Sequence, residues 1–348
     1  MASLADLYVM QEKMEEAAGI YEKLLEKEKD SHFLRFNLAL IYSKMGKLDL
    51  AEKALKKAIE LKPDYVEGYL ALGVLSELKK DPQKAIGYYE EALAQDPRNN
   101  KVYRHLGGIY YKLKMVDKAV RQYEELIKLY PDDAAGYVEL AYIYLSEEKP
   151  DEAIKVLKEA EDKGLESEGI ALTFGFAYAS LDRHEEAVVY YKKASEYDPG
   201  NAIVHFYLGA AYERAGKKHD AIASFRKCIE LDPKYADAYN YIGYMFAQDG
   251  ENLDEAMNLI GKALELDPAN GAYIDSLGWA YFKKGMVEEA LNELLRAKKS
   301  IGDDPTVYDH LGDVYYKKGK PGEAKKAWEK SLELDPKQER VKEKLEKI

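Results

Sequence analysis

Residues 100–133, NKVYRHLGGIYYKLKMVDKAVRQYEELIKLYPDD, decide the fold. In the second half, Ala119, Val120, Tyr123, Leu126 and Ile127 recur at steps of three and four, which keeps one face of a helix apolar and does not suit a strand. Pro131 closes the stretch, because proline cannot continue a helix and pushes its predecessor out of helical dihedrals. The small residues Gly107 and Ala119 predict a place where two helices approach closely. Tyr110 and Tyr123 would fill the space beside that contact. The stretch therefore reads as two helices joined by a turn.

The same pattern returns along the chain. Alanine recurs every 34 residues from Ala17 through Ala51, Ala85, Ala119, Ala153 and Ala187 to Ala221, and on through Ala256, Ala290 and Ala324. The step from Ala221 to Ala256 is 35, so one residue is inserted near Gly250-Glu251-Asn252. Prolines at Pro63, Pro97, Pro199, Pro233, Pro268 and Pro336 keep the spacing, as do Gly73, Gly175, Gly209, Gly243, Gly278 and Gly312. Gly46, Gly216, Gly250, Gly285 and Gly319 fall between the helices, where a left-handed residue ends the first one.

This pattern resembles the tetratricopeptide repeat, W-x2-L-G-x2-Y followed by A-x3-F and P. Tyr103, Leu106, Gly107, Tyr110, Ala119, Tyr123 and Pro131 carry it, as do Tyr308, Leu311, Gly312, Tyr315, Ala324, Trp328 and Pro336. The resemblance implies an all-α fold, a right-handed superhelical α-solenoid of ten helix-turn-helix units plus a C-terminal capping helix. The units are 1–31 (shortened at its start), 32–65, 66–99, 100–133, 134–167, 168–201, 202–235, 236–270, 271–304 and 305–338, all one solenoid over 1–348. Residues 339–348 read as the cap, with Lys342, Glu343, Lys344, Glu346 and Lys347 turned to water. The first helix of unit one is cut short, so a longer natural protein is expected to continue upstream. Lys163-Gly164-Leu165 and Gly302 replace the expected prolines and predict local changes of twist. Asp275-Ser276-Leu277-Gly278-Trp279 and His310-Leu311-Gly312-Asp313-Val314 look like a signature of bacterial tetratricopeptide proteins, and predict a bacterial source.

Composition excludes several functions. The net charge of −12 lacks the basic stripe that phosphate binding needs, so no nucleic-acid partner is expected. No apolar run is long enough for a membrane span, and Met1-Ala2-Ser3-Leu4 has no signal-peptide character. The single cysteine, Cys228, excludes an internal disulfide and a CxxC zinc site; it stands where other units carry alanine and reads as a small buried filler. His32, His105, His184, His205, His219 and His310 lie in different units, so no metal or other cofactor is expected. No phosphate loop, nucleophile elbow or HExxH motif occurs. The paired acids before the repeated alanine, such as Glu288-Glu289, suit a helix N-terminus. No enzyme is expected.

In that family the first helix of each unit lines a concave groove, which the resemblance carries onto this sequence position by position. It places Phe36 in unit two, then Lys101, Arg104 and Tyr111 in unit four, and Tyr142, Phe176 and Phe206 in units five to seven. The last three units contribute Asn240 and Tyr244, then Asp275, Trp279 and Phe282, then Asp309, Asp313 and Tyr316. Rigid aromatic rings lose little entropy on binding; Lys101 and Arg104 make one region basic, and Asp275, Asp309 and Asp313 make the C-terminal end acidic. The clamp by which some tetratricopeptide domains hold a chaperone's terminal carboxylate is not assembled, since Asn37 is followed by Glu67 and Ala71, and Lys101 by His105. The expected function is a non-catalytic protein-protein interaction scaffold that binds a protein or peptide, basic or amphipathic, in an aromatic-lined groove. Two alternatives stand beside it, a homo-oligomer assembled through the uncapped N-terminal end and the recognition arm of a larger enzyme. The expected compartment is the cytoplasm, or a bacterial periplasm or envelope if an upstream targeting segment is removed.

Overall fold

The computed structural model describes residues 2–348, with the backbone alone for Ala2 and Ser3, so Met1 of the N-terminal reading lies outside it. The described residues form 21 α-helices and no strand. They fall into two compact units, residues 1–173 and 174–348. The first holds the pairs α1 (Ala2–Met10) and α2 (Met14–Lys27), α3 (His32–Lys44) and α4 (Leu48–Leu61), and α5 (Val66–Leu78) and α6 (Pro82–Gln95). It continues with α7 (Asn100–Lys112) and α8 (Val116–Leu129), then α9 (Ala134–Ser146) and α10 (Pro150–Asp162). Helix α11 (Glu168–Ser180) contains the division. The second unit holds α12 (His184–Tyr197), the pair α13 (Ala202–Arg214) and α14 (Lys218–Leu231), and α15 (Ala236–Asp249) with α16 (Leu253–Leu266). It ends with α17 (Gly271–Lys283) and α18 (Val287–Ile301), α19 (Pro305–Lys317) and α20 (Pro321–Leu334), and α21 (Glu339–Leu345).

The recurring glycine and alanine have separate reasons. A Cβ built on Gly107 would stand 2.5 Å from Tyr123, one on Gly73 2.3 Å from Tyr89, and one on Gly312 2.2 Å from Trp328. Glycine is thus required by the large side chain that the second helix lays across it. The repeated alanines, Ala51, Ala85, Ala119 and Ala324 among them, are wholly buried. Tyrosine excess follows from the same packing, since Tyr89, Tyr137 and Tyr191 are among the largest fully buried side chains. Burying each such ring stabilises the fold by roughly 1.5–3 kcal/mol.

Turns show where local conformation was strained to keep the period. Gly46, Gly216, Gly285 and Gly319 are left-handed, φ 72°, 73°, 84° and 71°. The corresponding turns without glycine place Glu12, Lys80, Lys114, Glu148 and Asp182 in the same region. The inserted residue is absorbed by a turn with two left-handed residues, Gly250 and Asn252. Gly302 ends α18 at φ 88° and ψ −139°, open only to glycine.

Acids at the starts of the second helices do more than complement the helix dipole. Three of these helices take the lysine that follows the first helix of the next pair: Lys79 reaches Asp49 and Glu52, Lys284 reaches Asp254, and Lys318 reaches Glu288. At α21 the expectation of a solvent-turned charged face needs correction. Val341 packs against Ala324 and Trp328 as expected of a cap, but Lys344 turns inward to Asp309 and Asp313, 2.5 and 2.8 Å away. The ammonium folds back because two half-buried carboxylates would otherwise stand unpaired.

Candidate binding surface on the first helices

In the first unit, the expected contact residues divide by exposure. Phe36 is half-buried and meets Tyr65 edge-on at 5.4 Å, so packing accounts for it. Tyr111 lies against the core built around Tyr110 and Leu106. Lys101 and Arg104 are exposed, but Arg104 is ion-paired with Asp133, which reduces the basic region expected there. Tyr142 presents 38% of its surface.

In the second unit the aromatic residues cluster. Phe176 meets Tyr207 at 4.6 Å, and Phe206 contacts Tyr235 at 4.8 Å and Tyr241 at 5.5 Å. Trp279 and Asp275 differ from the expectation of presented contact residues, because both are nearly fully buried, at 6% exposure each. Trp279 stacks on His310 at 4.1 Å and on Phe282 at 5.2 Å. His310 Nδ1 lies 3.0 Å from both oxygens of Asp275. Burial opposes charge on His310, but Asp275, with Asp309 and Asp313, outweighs it and holds the imidazole above its ordinary value. Asp313 is itself pushed up, chiefly by burial and against the pull of Lys344. The acidic end is therefore largely internally paired: Asp275 by His310, and Asp309 and Asp313 by Lys344. Tyr316 remains 52% exposed.

Three of the expected residues come together. Asn240 and Tyr244 on α15 and Asp275 on α17 line a cleft of about 540 Å³ that also takes side chains from α13 and α19. All four are first helices, and Ile301 at the end of α18 completes the lining. Burial, then Asp275, pushes the Tyr244 phenol up to about 12, and its oxygen accepts from the Gln248 amide. Asn240 Oδ1 is buried with no hydrogen-bond partner among the described residues, and so is Trp279 Nε1.

Other chemistry is sparse. No group of three or more His, Cys, Asp or Glu is placed to hold a metal among the described residues. Cys228 is fully buried, and burial pushes its thiol up to about 12. No described helix is long and apolar enough to cross a membrane.

Helix pairs repeating at 34 residues, with small residues at the crossings, define a helical repeat scaffold. Tetratricopeptide repeat models match residues 1–31, 36–100, 78–137, 134–162, 175–216, 202–235 and 305–338. The chain belongs to the tetratricopeptide repeat family, a generally non-catalytic scaffold for protein–protein interaction. A 77-residue stretch is 35% identical to the type IV pilus assembly protein PilF of Pseudomonas aeruginosa, covering 22% of this chain and 31% of that protein. A 94-residue stretch is 30% identical to Hsp70-Hsp90 organizing protein 3 of Arabidopsis thaliana, covering 27% and 17%. Another of 110 residues is 28% identical to the mitochondrial import receptor subunit TOM70 of Saccharomyces cerevisiae, covering 30% and 18%. The chain thus spans less than a third of the length of these relatives. The Pseudomonas relative accords with the bacterial source expected above. Among solved structures, Pseudomonas aeruginosa PilF is 22% identical with a TM-score of 0.48, over 60% of this chain and 94% of that one.

Proposed function

We propose that the chain is a scaffold that receives a peptide, a helix or a segment of another protein on the face built by its first helices, with residues 1–348 acting as one array. One observation carries this reading. Asn240, Tyr244 and Asp275, chosen by repeat position alone, line a single cleft among four first helices. A concave site with an apolar wall and a few converging polar groups is the ordinary form of a binding site. The exposed rings of Tyr142 on α9 and Tyr316 on α19 add contact area on first helices. The 30% likeness to the Hsp70-Hsp90 organizing protein does not bring a chaperone tail with it, because Glu67, Ala71 and His105 stand at clamp positions. Replacing Tyr316 by alanine should weaken a bound peptide without lowering thermal stability. Unchanged affinity of peptides bound near α19 would count against this face.

A second reading has its own observation. Leu4, Leu7 and Met10 on α1 are exposed at 45%, 46% and 83%, and an apolar strip of this kind favours self-association. Sedimentation of Leu7→Glu beside the parent chain over a concentration series distinguishes the two, since only self-association would be lost.

A further inference from the structure

We propose that the cleft between α13, α15, α17 and α19 is a socket for one lysine or arginine side chain of the bound segment, with Asn240 Oδ1 as an acceptor. The inference rests on the binding reading above and adds the chemistry of the guest.

Neighbouring first helices meet in a regular series of contacts. In the second unit the fifth residue of one first helix meets the sixth residue of the next. Phe206 meets Tyr241, ring on ring at 5.5 Å. Asp275 meets His310 at 3.0 Å. Asp309 meets Lys344 of α21 at 2.5 Å. Between the first and second of these stands Asn240 opposite Ser276, and no hydrogen bond joins them. Ser276 spends its hydroxyl on the Ala272 carbonyl in its own helix, 2.9 Å away. Asn240 Oδ1 is left without a donor, buried, in an interval of the series that lines the cleft.

An unmet buried acceptor is costly, so a bound donor is favoured there. The walls select its charge. Glu213 and Asp275 are already taken, by Arg214 at 3.6 Å and by His310 at 3.0 Å, which leaves Asp237 and Asp304 as the acids of the lining. Lys344 shows what the next acids along this face take: an ammonium whose nitrogen also lies 5.7 Å from the Trp328 ring centroid. In the cleft, Tyr241 and Tyr244 stand ready to flank an aliphatic stem.

The test uses the full chain and a phage-displayed library of random dodecapeptides. Selected peptides are synthesised and titrated calorimetrically against the parent chain, Asn240→Leu and Ser276→His. Asn240→Leu removes the acceptor at similar volume, and Ser276→His offers the missing donor from within, as His310 does one repeat later. The expected result is enrichment of lysine or arginine at one peptide position. Affinity should fall about tenfold or more in both variants and on changing that peptide residue to norleucine. Should Ser276→His fail to fold, Asn240→Leu and the norleucine peptide carry the comparison. Selected peptides without a required cation, or with affinity unmoved by Asn240→Leu, would overturn the socket and leave the scaffold reading standing. A library yielding no binder would overturn both.

Discussion

His310 on α19 is ion-paired with Asp275 on α17, its Nδ1 3.0 Å from both carboxylate oxygens, and both side chains are buried. Trp279 covers the imidazole at 4.1 Å. The pair ties one repeat to the next and gives the second unit a pH dependence. His310 is held above its ordinary value, so the folded chain keeps a proton that the unfolded chain releases. That stabilisation is full below about pH 6.5 and is lost as pH rises through the folded-state value. Hydrogen-exchange protection factors of α17 and α19, corrected for the intrinsic pH dependence of amide exchange, should therefore fall above neutrality in the parent chain. The protection factors of the same amides in His310→Gln should change little over that range.

Gly107 and Tyr123 predict a coupled pair. A Cβ on Gly107 would lie 2.5 Å from the ring, so Gly107→Ala forces Tyr123 aside and should cost about 1–3 kcal/mol. In Tyr123→Leu the same alanine should cost less. A double-mutant cycle in urea reads the difference directly.

Lys344→Ala should release α21. The change leaves Asp309 and Asp313 facing each other unpaired, at a cost of about 1–3 kcal/mol. Amide protection within α21 should drop well before that of α19, and Lys344→Arg should restore most of it.

The turn lysines offer a gain. Lys80 is left-handed at φ 58° where Gly216 serves in another turn at φ 73°. Lys80→Gly relieves about 1–2 kcal/mol of backbone strain and returns about 0.4–1 kcal/mol through the freer unfolded chain. A small rise in melting temperature is expected, and Gly216→Lys should lower it.

The helices were legible because their signals are local. A small residue at each crossing and a proline after each pair repeat at a fixed step, so even the inserted residue near Asn252 was visible. Candidate contact residues were less so. Repeat position identifies the face but not depth, and Trp279 turned out to be covered because His310 of the next repeat lies flat on it. That pairing joins residues 35 apart and could have been found only by setting the fifth position of one repeat beside the sixth of the next. The same comparison would have shown that Lys344 faces Asp309. Trp279→Ala is consequently a core truncation, with an expected cost of about 3–5 kcal/mol. Exposed Tyr142 and Tyr316 are the better residues for testing binding.

The most direct measurement is photo-crosslinking of a selected dodecapeptide to the full chain, with the attachment sites located by mass spectrometry. Attachment is expected on first helices, at or beside Tyr241, Tyr244 and Tyr316. Attachment confined to second helices such as α16, α18 and α20 would contradict that expectation.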